Sequence, residues 1–360
     1  MSSISSTKNH HEEGKSPKIT SPAVAPAFSP TFGAATFCLP PPTTVLHLLR
    51  FAELDLARWE ACVAASPGAL PYVQAWWLRA TAGRWAAVVE LGPAGEYRSL
   101  LPLPTKWRPW GRVGYQPLFT QQLGLVLTPA SQYRELADYL LLAKKYCRHF
   151  YQQLPTGVAL PALPPAFSAT ERLTHHLALG PDYPTLLQGY TAEYRRRLRK
   201  NQQLPQPLGA TEGSGAEMEE LIRLFQTYRG PADTGLRARH YHALRRLVQA
   251  AQVRGVAEIR QVRQPTTGEL LAGALFVRHG SGVIYLFAAV TPAGRAAKAP
   301  MLLLDDALRR HAGQPGQVFD FEGGNLPGIG RFFANFGARP VLYAALTLSP
   351  PNWFPSWMRL

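Results

Sequence analysis

The chain has 360 residues, 46% of them apolar, enough for a large core and, at about 100 to 200 residues per domain, for two domains. Its 38 Lys and Arg against 23 Asp and Glu give a formal charge of +15, which favours anionic partners such as nucleic acid, a phosphorylated cofactor or a membrane surface. The three isolated cysteines, Cys38, Cys62 and Cys147, fit neither a disulfide framework nor a zinc site and suit a reducing, cytoplasmic setting, and no apolar run reaches the roughly 20 residues of a membrane span.

Residues 1–42 are rich in Ser, Pro, Thr, Lys and His, lack a signal-peptide layout and read as a disordered tail. A strand over Val45 to Arg50 and helices over Leu54 to Ser66 and Tyr72 to Ala82 follow. Trp85 to Leu91, Tyr97 to Leu103 and Arg112 to Leu118 then read as an antiparallel meander, with a strand over Leu123 to Leu127 and a long helix over Gln132 to Gln153. The proline-rich stretch from Pro155 to Pro165 sets the expected boundary, so that 43–165 and 166–360 are the two domains.

The second half opens with a strand over Arg172 to Leu179 and helices over Pro184 to Leu204, Ala216 to Tyr228 and Leu236 to Val253. A second meander spans Ala257 to Gln264, Leu270 to Arg278 and Gly282 to Val290, with the turn His279-Gly280-Ser281-Gly282. The spacing then predicts a helix over Ala299 to Ala312, a strand over Gln317 to Glu322, a short helix near Ile329 to Asn335 and a last strand over Pro340 to Leu348. Each half thus has a meander, a helix and a further strand, which suggests an internal duplication.

Alternate residues of a strand share a face, so Asp320 and Glu322 project from one side of Gln317 to Glu322 while Phe319 and Phe321 project from the other. One reading has a carboxylate paired with an arginine or capping the next helix; the other has a general base, its pKa raised by desolvation, for an attacking amine. Arg331 is placed to pair with Glu322 or to hold an anion. Thr291 to Pro300 joins a strand to a helix N-terminus and carries Arg295 and Lys298, a phosphate site or a solvated basic loop. Tyr194 to Lys200, with Arg196 at its centre, is a helix-borne basic run that reads as a solvated surface or a phosphate-binding edge. His240 with His242, and His175 with His176, fall on different faces, which predicts no metal site.

The residues Phe319-Asp-Phe-Glu-Gly-Gly, followed by Gly330-Arg-Phe-Phe-Ala-Asn-Phe-Gly, resemble the end of FemAB-type tandem-GNAT transferases, and the order of elements from 257 onward resembles the GNAT acyltransferase fold. Glu193 to Lys200 and Tyr115-Gln-Pro-Leu-Phe-Thr-Gln-Gln-Leu-Gly extend the resemblance to most of the chain beyond residue 42. It implies an α/β (α+β) fold of two GNAT-like halves, each a mixed, mainly antiparallel sheet flanked by helices. It also implies transfer of an acyl or aminoacyl group, from acyl-CoA or aminoacyl-tRNA, to an amine-bearing acceptor. Carried over, Glu322 or Asp320 is the base, Tyr285 to Val290 is the strand whose backbone N–H groups hold the oxyanion, and Arg295 and Lys298 hold the donor. Tyr285, Asn325, Arg331, Tyr343 and Arg196 become substrate contacts. Phe333 stands where Fem-type ligases carry a lysine, and the Gly-rich pyrophosphate loop is absent between Thr291 and Pro300. These departures leave a second reading, a catalytically silent GNAT-like scaffold that binds RNA or another anionic partner through Arg195 to Lys200.

Overall fold

The computed structural model describes residues 45–158, 163–229, 235–324 and 327–348, all within one compact unit, 42–360. The expected tail and Asn325 lie outside the described residues. Two sheets organise the chain.

The smaller sheet carries β1 (Val45–Leu49), β2 (Trp85–Leu91), β3 (Tyr97–Arg108), β4 (Gly111–Gly114) and β5 (Val126–Leu127), all paired antiparallel. Helices α1 (Leu56–Ala64) and α2 (Ala75–Thr81) cover it; the Asp55 carboxylate starts α1 by accepting from the free N–H groups of Ala57 and Arg58. The long helix expected over Gln132 to Gln153 is shorter. It ends as α3 (Leu136–Tyr146), and Phe150–Gln153 becomes a strand, β6. The reason is non-local: β6 pairs with residues 345–348, a partner that helical periodicity does not register.

The larger sheet has the order β6-β13-β7-β12-β11-β10-β9-β8. Its strands are β7 (Phe167–Ala178), β8 (Ala210–Gly213), β9 (Ala257–Arg263), β10 (Leu270–His279), β11 (Gly282–Val290), β12 (Val318–Asp320) and β13 (Arg339–Leu348). The chain therefore changes sheets between β5 and β6, and the proline-rich 155–165 stretch joins two strands of one sheet. The helices are α4 (Tyr183–Gln188), α5 (Ala192–Gln202), α6 (Gly215–Tyr228), α7 (Ala238–Val253), α8 (Pro292–Ala296), α9 (Ala299–His311) and α10 (Pro327–Ala334). The single helix expected over Pro184 to Leu204 is split into α4 and α5, the last turn of α4 closing on Gly189.

One face of the larger sheet, through Leu275, Val277, Ile284, Leu286 and Phe287, packs on Tyr72, Trp77 and Trp85 of the first half. The other face, through Phe276, Phe319 and Phe321, packs under α9 and α10. A third core joins α3 to β13. Among the described residues no helix is long and apolar enough to cross a membrane.

Candidate functional site

Strand β11 changes neighbours along its length. It pairs in parallel with β12 only from Gly282 to Ile284, opposite Val318 to Asp320. Gly282 is required there: a Cβ on it would lie 1.8 Å from the Val318 carbonyl oxygen. From Tyr285 on, no strand lies on that side of β11 among the described residues, and the two strands part. The opposite edge stays paired with β10, but the register jumps from Phe276↔Tyr285 to Leu275↔Phe287. Leu286 is the extra residue of a β-bulge, so Leu286 and Phe287 both enter the core between the halves. A splayed strand edge with a bulge beside it leaves backbone N–H groups without ladder partners, which is what an oxyanion needs.

The splay opens into a cavity of about 600 Å³. Tyr285, Ala288, Ala289 and Val290 of β11 line one wall, Leu224, Phe225 and Tyr228 of α6 another, and Ile329 and Phe332 of α10 a third. A neighbouring cavity of about 280 Å³ shares Arg295, Pro300 and Phe332 with it and adds Arg197, Lys298 and Glu193. The whole is an apolar trough with a basic mouth. Lys298 holds a left-handed backbone conformation, φ 61°, just before α9, and Thr291 caps α8 by accepting from the Gly294 N–H at 2.8 Å. Gly294 lets α8 lie against β10, since a Cβ there would stand 2.0 Å from the Leu271 carbonyl oxygen. The expected basic loop is thus a short helix that packs on the sheet and presents Arg295 and Lys298 outward.

The carboxylates sit at the apex of the splay. Asp320 is 8% exposed; its Oδ1 accepts from the Thr174 hydroxyl at 2.6 Å and the Glu322 N–H at 2.9 Å, and its Oδ2 faces His176 Nε2 at 3.3 Å. Glu322 has a positive φ of 48° and accepts a hydrogen bond from the hydroxyl of Tyr72, a fully buried residue of the first half. Burial, and then the Asp320 charge, push the Glu322 carboxyl up to about 8, against a smaller downward pull from the Tyr72 hydroxyl. Of the two acids, Asp320 is committed to holding strand ends in place, while Glu322 has proton affinity near neutrality.

The other expected contacts divide. Tyr285 lines the cavity; its hydroxyl has no hydrogen-bond partner among the described residues, and burial raises its pKa. Tyr343 is buried between the halves and donates to Gln153 at 2.9 Å. Arg331 is exposed and makes no ion pair with Glu322, whose carboxylate turns to Tyr72 instead. Arg196 is exposed, and it is Arg197, paired with Glu193, that reaches the cavity mouth. Neither carboxylate lines the two cavities among the described residues. Phe333, in the lysine position of Fem-type ligases, is 4% exposed among Phe321, Tyr285 and His175, a setting that would strip an ammonium of its hydration. No three His, Cys, Asp or Glu side chains converge as metal ligands among the described residues.

Residues 189–328 match the family model of the acetyltransferase (GNAT) domain. Among solved structures the chain is similar to FemX, with 13% identity over 83% of this chain and 96% of that one, and a TM-score of 0.56. It is also similar to a tandem GNAT protein from the clavulanic acid biosynthesis pathway, with 17% identity, 84% and 98% coverage and a TM-score of 0.50. A conserved protein of unknown function from Bacteroides thetaiotaomicron gives 11% identity, 82% and 97% coverage and a TM-score of 0.51. At these identities the likeness is one of fold. No curated protein sequence matches the chain.

Proposed function

We propose that this chain, which has the fold of the FemAB-like GNAT superfamily, is an N-acyltransferase that takes its acyl group from acyl-CoA. The observation that carries the reading is the apolar trough along the open edge of β11, ending in Arg197, Arg295 and Lys298. A narrow apolar arm with phosphates at its far end matches that shape and charge order. The acyl carbon then lies at the apex beside Tyr285, where the edge of β11 offers N–H groups to the developing oxyanion.

The acceptor amine attacks the thioester carbonyl, a C–N bond forms, and the C–S bond breaks to release the thiolate. Glu322 in its carboxylate form takes the amine proton, and Tyr285, kept protonated by burial, donates a hydrogen bond on the donor side. Asp320 and Tyr72 are positioning residues that fix the backbone and the carboxylate of Glu322. The oxyanion is stabilised without a lysine, since the Phe333 position is apolar. Acyl transfer from a panel of acyl-CoA thioesters and from aminoacyl-tRNA to amine acceptors tests the reading. Turnover with a thioester and none with aminoacyl-tRNA is expected; the reverse would overturn the donor, and no turnover with either would favour a binding scaffold.

A further inference from the structure

A second basic region lies far along the chain from the trough. From Tyr97 to Arg134 there is no acidic residue, only Arg98, Lys106, Arg108, Arg112 and Arg134, and from Tyr139 to Thr170 only Lys144, Lys145 and Arg148 carry charge. The fold gathers these two stretches. Strand β3 outruns the main sheet, and Thr105 to Arg108 pair with Gly114 to Gly111 as a separate two-stranded ribbon. Arg148 flanks its turn, where a Cβ on Gly111 would stand 2.9 Å from the Arg148 Cγ.

Each face of the ribbon carries a ring beside a cation: Trp107 and Arg112 share one face, and Lys106 and Arg108 lie on the other. Trp107 is 72% exposed. The Arg112 guanidinium lies 5.0 Å from the Trp107 ring and 3.9 Å from the Tyr146 ring, and the Lys106 ammonium lies 4.7 Å over Tyr115. Partial burial, then Arg108 and Arg239, hold Lys106 below the usual range, which adds α7 to the same positive field. None of Lys106, Arg108, Arg112, Arg148 and Arg239 makes an ion pair among the described residues. The half-buried Arg245 and Arg263, by contrast, are paired with Glu219 and Glu220.

We propose that the β3–β4 ribbon docks this protein end-on, by its turn, onto an anionic phospholipid surface, with Trp107 at headgroup level and the cations of both faces, Lys106, Arg108, Arg112 and Arg148, against the lipid phosphates. An indole is suited to that depth, since its body is apolar and its N–H seeks a polar partner. The β4 edge of the ribbon is covered by Arg148 and His149, whose backbone pairs with Arg112 and Gly114. Among the described residues the outer edge of Thr105 to Arg108 stays open, which suits the polar headgroup layer rather than the hydrocarbon. One aromatic plus a basic cluster gives the two signals that stable but reversible anchoring takes. A nucleic-acid strand fits less well: Arg112 already lies over Trp107 and Tyr146 and Lys106 over Tyr115, so the rings of the ribbon offer no open row of stacking faces.

The inference is independent of acyl transfer and is tested on the full chain by co-sedimentation with vesicles. Phosphatidylcholine alone is compared with phosphatidylcholine carrying about a third phosphatidylglycerol, at low and high salt. The parent pellets with the anionic vesicles, stays in solution with the neutral ones, and is released by salt. Trp107→Ser and the double variant Lys106→Glu, Arg108→Glu each weaken pelleting about tenfold or more while melting like the parent, because all three side chains are exposed. No pelleting of the parent, pelleting that ignores lipid charge, or equal pelleting of parent and variants would overturn the proposal. So would variants that lose affinity for a single-stranded RNA oligonucleotide but keep that for vesicles.

Discussion

The trough mouth and the splay apex hold opposite charges in opposite settings. Arg295 and Lys298 are exposed at the mouth, where a solvated cation recognises an anion through charge and reach. Asp320 is buried and Glu322 half-buried beside the Tyr72 hydroxyl, where desolvation and then the Asp320 charge raise the Glu322 carboxyl to about 8. Exposure suits a charge to binding, and desolvation suits it to proton transfer. One splayed strand lies between the two.

If the apex handles the proton and the mouth the donor, variants separate the two. Glu322→Gln lowers kcat by about 100-fold to 10,000-fold, the range of a lost general base, with donor affinity unchanged. Steady-state kinetics beside calorimetry checks this, and equal turnover of the two proteins removes Glu322 as base. Arg295→Glu with Lys298→Glu weakens donor binding about tenfold or more, as charged hydrogen bonds contribute about 1.5 to 3 kcal/mol each, while kcat at saturation changes little. A variant that binds donor as the parent does would detach the mouth from the site.

Proton linkage sharpens the comparison further. Since Glu322 is raised from 4.5 to about 8 in the folded state, the native protein holds a proton that the unfolded chain releases between those values. Its contribution to stability therefore falls as pH rises from about 4.5 to about 8, and activity, which needs the carboxylate, rises through about pH 8. Melting curves across that window should flatten in Glu322→Gln. Tyr72→Phe removes a hydrogen bond that favours the carboxylate, so the midpoint of its pH–rate profile moves upward. A downward movement would mean that Tyr72 does not steady the ionised form. The smallest effect is expected of Gly294→Ala, which must push α8 off the Leu271 carbonyl and costs about 1 to 3 kcal/mol of stability, read as a lower melting temperature.

Local patterns were legible in the sequence, and long-range partners were not. Alternation placed Asp320 opposite Phe319, and Phe319 is indeed in the core under α9 while Asp320 faces Thr174 and His176. The meander from Ala257 to Val290 followed from its turn residues and hydrophobic runs. By contrast, Tyr72 reaches Glu322 across 250 residues, and nothing near either residue announces the contact. Strand β8, four residues at a sheet edge, carries too little alternation to be seen. Arg196 and Arg197 look alike in a basic run, and only the rotation of α5 on Tyr194 and Leu198 decides that Arg197 meets the mouth.

The central claim is that the donor lies in the trough beside β11, and calorimetric titration of coenzyme A into the parent and Ala288→Trp tests it most directly. Ala288 lines the cavity, whose volume of about 600 Å³ admits an indole without disturbing the core. Saturable binding by the parent, weakened at least about tenfold in a variant of unchanged melting temperature, is the predicted result. Equal binding by both proteins, or none by the parent, would contradict it.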